Sequence, residues 1–254
     1  MQNDLNGKVI LVTGASSGIG AAAARAFGRA GAAVAVHYNA SGAEARHVVD
    51  EIQTAGAKAA AFRANAEHAA ELVQLVADVQ KHFGRIDVLV NNAGGVIERK
   101  PFADSDSAFL DQMLDLNVRS VVTLCHAVLP LFRAQGRGNI INVTSIAARN
   151  GGGPGVVLYA ATKGFVSTLT RGLAKELAPH KIRVNAVAPG VILTPLHERH
   201  TLQATLDALA GTVPMGRLGT ADECAGAFLY LASDAASGYV TGQIIEVNGG
   251  QLMP

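Results

Sequence analysis

Val9-Ile10-Leu11-Val12-Thr13-Gly14-Ala15-Ser16-Ser17-Gly18-Ile19-Gly20 is the stretch on which the fold turns. Four apolar residues form a strand with no polar alternation, the pattern of a parallel strand covered on both faces. A glycine-rich turn follows, and from Gly20 an alanine-rich run with helical spacing. In such a turn the glycines let backbone N–H groups approach a pyrophosphate, and the next helix points its positive end at it. Glycine also ends strands for steric reasons alone. The weight here comes from the order strand, turn, helix at the start of a βαβ unit. Gly14, Ser16, Ser17, Gly18, Ile19 and Gly20 are therefore expected to touch a dinucleotide.

Beyond this stretch, short apolar runs recur at 33–37, 59–63, 88–91, 140–144, 183–188 and 244–247. Helical patterns lie between them at 20–30, 43–55, 67–82, 106–133, 159–178 and 221–232, with breaks at Gly31, Gly56, Gly84, Gly136 and Gly138. This rhythm predicts an α/β fold, a Rossmann-type doubly wound parallel sheet of about seven strands with helices on both faces. No linker or repeat divides the chain, so residues 1–254 are read as a single dinucleotide-binding and catalytic domain. Residues 191–218 are the least regular and are expected to form a substrate lid.

The 21 basic and 20 acidic side chains leave a net charge of +1. No basic field is present to hold a nucleic-acid backbone. Cys125 and Cys224 have no CxxC spacing and read as free thiols. No run approaches the roughly 18 uninterrupted apolar residues expected of a membrane helix. The opening MQNDLNGKVILVTG lacks the pattern of a secretory signal. A cytoplasmic protein acting on a small molecule is expected, with no membrane or nucleic-acid partner. His197 and His200 flank Glu198 at i, i+3 within the lid stretch, without HExxH spacing, and no metal is expected there.

An acid at the end of the second strand would bond the free ribose hydroxyls of NAD and repel the extra phosphate of NADP. The chain instead reads His37-Tyr38-Asn39-Ala40-Ser41. Tyr38, Asn39 and Ser41 are neutral, with His37 nearby, and no arginine or lysine stands in this stretch. NADP(H) is favoured, and NAD(H) stays open. Further on, Tyr159 and Lys163 share one helix face at i, i+4. An ammonium so close is expected to lower the tyrosine pKa from about 10. The phenol can then exchange a proton with a carbonyl or alcohol oxygen. On a surface helix this pair would mean little. Ser145 at the end of one strand and Asn91-Asn92-Ala93-Gly94 at the end of another give it context, because open α/β sheets bind ligands at that edge. Asn117 is an amide inside a long helical pattern, which calls for a reason.

These residues, taken together, resemble the short-chain dehydrogenases/reductases over nearly the whole chain. The likeness rests on Thr13–Gly20, Asn91–Gly94, Asn117, Ser145, Tyr159-Ala160-Ala161-Thr162-Lys163, Pro189-Gly190, and the tail from Tyr239 to Gly250. It implies Tyr159 as catalytic acid/base, Lys163 on the nicotinamide ribose, and Ser145 orienting the substrate oxygen. Asn117 would hold a water in a proton relay. It implies cofactor contacts from Asn65, Ala66, Asn91, Ala93, Gly94, Pro189, Gly190, Val191, Ile192 and Thr194 besides Tyr159 and Lys163. It further implies a homotetramer built through 106–133, 159–178 and the C-terminus. Among its members the chain is most similar to 3-oxoacyl-thioester reductases and to sugar or secondary-alcohol dehydrogenases. A catalytically silent dinucleotide-binding regulator is the alternative from another class, although a regulator would not need Asn117, Ser145, Tyr159 and Lys163. Two departures stand out: Asn65-Ala66 where an Asp and an aliphatic residue are usual, and an interval from Ser145 to Tyr159 one residue longer than usual, holding Arg149-Asn150-Gly151-Gly152-Gly153-Pro154-Gly155.

Overall fold

The computed structural model describes residues 4–193 and 203–253. Seven strands form one sheet: β1 (Val9–Val12), β2 (Ala33–Tyr38), β3 (Ala59–Arg63), β4 (Val88–Asn91), β5 (Gly138–Val143), β6 (Ile182–Pro189) and, last in the chain, β9 (Ile244–Val247). Their order is β3-β2-β1-β4-β5-β6-β9, and every neighbouring pair is parallel. The chain runs outward from β1 through β2 and β3, then returns to start β4 on the other side of β1. That reversal opens a crevice above the carboxyl ends of β1 and β4.

Successive strand residues point to opposite faces, and both faces are covered. Ile10, Val12, Val34, Val36, Val88 and Val90 pack with Phe27, Ile52, Phe228 and Leu231 of helices α1 (Gly18–Arg29), α2 (Gly42–Thr54) and α9 (Ala221–Ala232). Val9, Leu11, Ala33, Ala35 and Leu89 meet Leu72, Val76, Leu124, Phe132 and Val166 of α3 (Ala69–Phe83), α5 (Ser120–Gln135) and α7 (Val157–Leu177). The double cover is why these strands read as unbroken apolar runs. Phe27, Phe132 and Phe228 are fully buried, each contributing roughly 1.5–3 kcal/mol by leaving water. Gly28 lets α1 lie close to α2, because a Cβ there would fall 2.6 Å from Ile52 Cγ2.

The helical pattern at 106–133 is not one continuous α-helix. It divides into α4 (Ser107–Leu114), a π-helical turn (Asp115–Arg119) and α5. Apolar spacing does not register one extra residue in a turn, so the sequence reads straight through it. As a unit, Ser107–Gln135 has the length and apolar character of a membrane span. Here Leu124, Cys125, Val128 and Phe132 are turned into the sheet. Between β5 and α7 lies the short α6 (Ala147–Asn150). The 191–218 stretch contains strand β7 (Ile192–Leu193) and helix α8 (Gln203–Ala210). β7 pairs with β8 (Gly219–Thr220) in a second small sheet, and two-residue strands carry no readable period. Thr194, His197, Glu198 and His200 lie outside the described residues. α10 (Asp234–Ser237) precedes the return to β9.

Candidate active site

The carboxyl edge gathers the expected side chains. β1 is followed by Thr13, whose hydroxyl donates to Val90 O and accepts from the amides of Asn92 and Ala93, both at 2.9 Å. Asn92 Nδ2 in turn donates to the carbonyls of Thr13 and Gly14. The glycine turn is thus built from β1 and β4 together, and a Cβ on Gly14 would sit 3.0 Å from Ala93 Cα. Asn92 is a residue the sequence did not single out, since its neighbour carries the same amide. Asn91, expected to support the sheet edge and the cofactor, has its side chain buried, and its Nδ2 donates to Asn142 Oδ1 at 2.9 Å. Period-2 alternation from the buried strand turns its side chain into the sheet, so its part is to tie β4 to β5.

The turn fits a dinucleotide phosphate by its own geometry. A Cβ on Gly20 would lie 2.4 Å from both Asn92 Nδ2 and Gly14 O. Gly14 and Gly18 have φ of +61° and +55°, a region costly for other residues. Ser17 makes no side-chain cap on α1, and the first turn has no acidic residue. By contrast, Thr220 and Glu223 form a full capping box on α9, and Asp106 caps α4. The start of α1 is left for an anion to satisfy. Ser16 and Ile19 are half-buried along this turn and Ser17 is exposed.

At the end of β2, His37 is not free to meet a phosphate. It is 1% exposed and spends Nδ1 on Gly14 N and Nε2 on Ala64 O, both at 3.0 Å. Burial lowers its pKa, against the opposing effect of the Ala64 bond, so it is no cation. Asn39 and Ser41 are exposed, and Tyr38 is half-buried against Gly42. Two arginines unseen in the local sequence arrive from elsewhere. Register places Arg63 opposite Tyr38, and its Nε donates to Asn39 O. Arg46, one turn into α2, brings Nη1 to 3.5 Å from where a Gly42 Cβ would stand. Asn65 shapes the start of α3: its amide N–H donates to Glu71 Oε2, and its Oδ1 accepts from Glu67 N. Ala66 is buried behind it.

The chemical group sits where β5 meets α7. Thr144 Oγ1 donates to Lys163 O and lies 2.6 Å from Ser167 Oγ, which fixes α7 on the strand end. Lys163 Nζ donates to Val143 O at 2.9 Å and stands 5.8 Å from the Tyr159 ring centroid. Ser145 Oγ accepts from Ala147 N, and its hydroxyl acts on the nearby Tyr159 phenol, favouring the ionised form. Electrostatics here correct the expectation from spacing. Burial raises the Tyr159 pKa above 10, opposed by the Ser145 hydroxyl. Burial also lowers Lys163 to about 8. An i, i+4 spacing reports closeness but not desolvation, and desolvation dominates both groups.

Asn117 is fully buried in the π turn. Its Oδ1 accepts from Gly95 N at 2.9 Å, and its Nδ2 donates to Gly95 O and Met113 O. It therefore clamps the loop after β4, and Gly94 is required beside it because a Cβ would fall 2.7 Å from Asn117 Oδ1. At the end of β6, Pro189 O accepts from Ile146 N, and Gly190 N donates to Val247 O. A Cβ on Gly190 would meet Asn248 Cα at 2.7 Å. Val191 and the buried Ile192 lead into β7. In the longer loop, Gly155 O accepts from Lys100 N, and Arg149 pairs with Glu246 at 3.2 Å.

Comparison with known proteins agrees with this arrangement. A family model described as "Enoyl-(Acyl carrier protein) reductase" matches residues 14–251. The chain is 41% identical to a 3-oxoacyl-[acyl-carrier-protein] reductase of Synechocystis sp., covering 98% of each chain. It is 40% identical to the crystal structure of NADH-dependent reductase A1-R' complexed with NAD, with a TM-score of 0.89 and full coverage of both chains. A 7 alpha-hydroxysteroid dehydrogenase complexed with NADH and 7-oxo glycochenodeoxycholic acid is 37% identical, with a TM-score of 0.92 over 98% of this chain and 97% of that one.

Proposed function

The chain belongs to the short-chain dehydrogenase/reductase family and is an oxidoreductase of carbonyl and CH–OH groups, and from that premise we propose that it reduces a ketone or 3-oxoacyl thioester with NADP(H). The observation that carries this reading is the convergence of Ser145, Tyr159 and Lys163 at the carboxyl ends of β5 and α7's first turns. When bound, the nicotinamide cofactor supplies the hydride or accepts it. Tyr159 gives its phenolic proton to the carbonyl oxygen during reduction and takes it back during oxidation. Ser145 holds that oxygen with its hydroxyl. Lys163, close to Tyr159 and anchored to Val143 O, stabilises the phenolate once the proton has left. Asn117 sets the Gly94-Gly95 loop beside Lys163.

The preference for NADP(H) over NAD(H) rests on the missing acid at Tyr38–Ser41 and on Arg63 and Arg46 beside that loop. Guanidinium groups there would pair with a 2′-phosphate. The 3-oxoacyl reading is supported by the name of the Synechocystis relative. A sugar-derived carbonyl is the second reading, favoured by the likeness to a reductase "responsible for alginate metabolism". Residues 191–218 act as the substrate lid of one catalytic domain in this scheme, with Thr194 on the nicotinamide side. A homotetramer is proposed with it, and exposed Val157, Phe165 and Leu110 on α7 and α4 offer apolar surface for assembly. Its buried free thiols suit the reducing cytoplasm.

The test is absorbance of NADPH and NADH, in parallel, against 3-oxoacyl thioesters, diketones and sugar-derived ketones. Tyr159→Phe should cost about 10²–10⁴ in turnover while dinucleotide affinity holds. Full turnover in that variant would end the proposed mechanism. Arg63→Ala should weaken NADPH more than NADH, and equal loss for both would remove the arginine from cofactor choice.

A further inference from the structure

Gly14 and Ala64 lie on different crossovers, yet one buried side chain joins them. The backbone N–H of Gly14 can only donate, so His37 Nδ1 must accept, and the ring proton must sit on Nε2. From there it points at Ala64 O, the residue before Asn65. The His37 backbone carbonyl also takes the Ala15 amide at 2.8 Å. A single residue thus holds the phosphate turn and the loop after β3 in fixed relation. The neutral Nε2–H tautomer is the one form that makes both ring bonds.

We propose that His37 is a positioning residue for the dinucleotide, its neutral Nε2–H imidazole locking the glycine turn to the start of the adenosine-side loop. The proposal rests on the reading that this turn holds a dinucleotide. A proton on Nδ1 would face the Gly14 N–H, break that bond and leave a buried charge. The surroundings offer such a charge no partner. The turn supplies Thr13, Gly14 and Ala15, and β3 supplies Phe62 beside the ring. Of the ionisable groups nearby on β3 and α3, Arg63 is engaged with Asn39 O, and Glu71 with Asn65 N and His68. Among the described residues no charged group acts on the ring, and burial lowers its pKa from 6.5. The sign follows. Above pH 6.5 the lock is intact in full. Through the lower folded-state pKa, affinity for the dinucleotide falls as pH falls.

Two measurements on the full chain test this. Long-range ¹H–¹⁵N correlation of the histidine rings should show His37 as the neutral Nε2–H tautomer at pH 7, with or without cofactor. The Nδ1–H tautomer or an imidazolium would overturn the assignment whatever the turn binds. NADPH and NADH fluorescence titrations then compare variants whose folding is verified by circular dichroism. In His37→Asn, Oδ1 can stand in for Nδ1 and accept from Gly14, so Kd should stay within about threefold. His37→Leu leaves that N–H without a partner, and Kd should rise about tenfold or more. At saturating cofactor kcat should change little in either. The rise in wild-type Kd as pH falls through the lowered His37 pKa should vanish in His37→Asn. Equal weakening in both variants, or none in His37→Leu, would reduce His37 to packing. Failure of the wild type to bind either dinucleotide would instead remove the premise, and the tautomer spectrum would still report the lock itself.

Discussion

Lys163→Met should raise the stability of the protein while removing its activity. Lys163 is 4% exposed, and burial brings its pKa from 10.5 to about 8. That difference corresponds to about 3 kcal/mol of folding free energy forgone while the group stays charged. Methionine keeps the length and apolar stem without the charge. It also releases Val143 O from its bond to Nζ, which costs about 1–3 kcal/mol if the carbonyl finds no other donor. The net gain at pH 7 is therefore about 1 kcal/mol. The sharper signature is in pH. Between pH 8 and 10.5 the unfolded chain holds a proton on Lys163 that the folded chain has lost, so wild-type stability rises with pH across that window. Below pH 8 both states are protonated and the penalty is present in full. Urea unfolding of both proteins at fixed concentration, from pH 7 to 10, gives the difference curve. The variant's advantage should shrink as pH rises and then reverse. A flat difference, or a variant less stable by more than about 1 kcal/mol at pH 7, would show that desolvation does not govern this lysine. Turnover should fall by about 10² or more under all of these conditions, since the phenolate loses its nearest cation.

Other outcomes follow from the same geometry. Gly20→Ala drives a methyl group to 2.4 Å from Asn92 Nδ2 and Gly14 O. Overpacking of this kind costs about 1–3 kcal/mol, and NADPH titration should show weakened binding; unchanged affinity would mean that the turn does not carry the phosphate. Asn117→Ala removes three hydrogen bonds, two of them to Gly95, so thermal melting should report a loss of about 1–3 kcal/mol and steady-state assays a lower kcat. Cys125 and Cys224 are buried, with thiols pushed up to about 12. At pH 8 the folded protein should leave a thiol-reactive chromogen untouched, and both cysteines should react once urea unfolds the chain. Rapid labelling of the native protein would place one of them at an accessible surface.

The seven strands of the main sheet, their parallel cover and the edge where the chemistry gathers were legible in the chain alone, because unbroken runs such as Val9–Val12 and Ile10's neighbours in β2 and β4 have no other stable environment. The sequence also marked Tyr159 and Lys163 as facing the same way, a consequence of helical pitch alone. What it could not carry were properties that arise between segments far apart in the chain. Asn91 and Asn92 are indistinguishable as letters, and only the pleat of β4 sends one into the sheet and the other to the glycine turn. Asn117 in the π turn at Asp115–Arg119 is bonded both ways to Gly95, some twenty positions earlier. Arg63 reaches the end of β2 through strand register. The pKa values of Tyr159 and Lys163 were decided by how much water the surrounding layers exclude. Periodicity is local and is written into the chain, whereas desolvation and register are set only when the layers close.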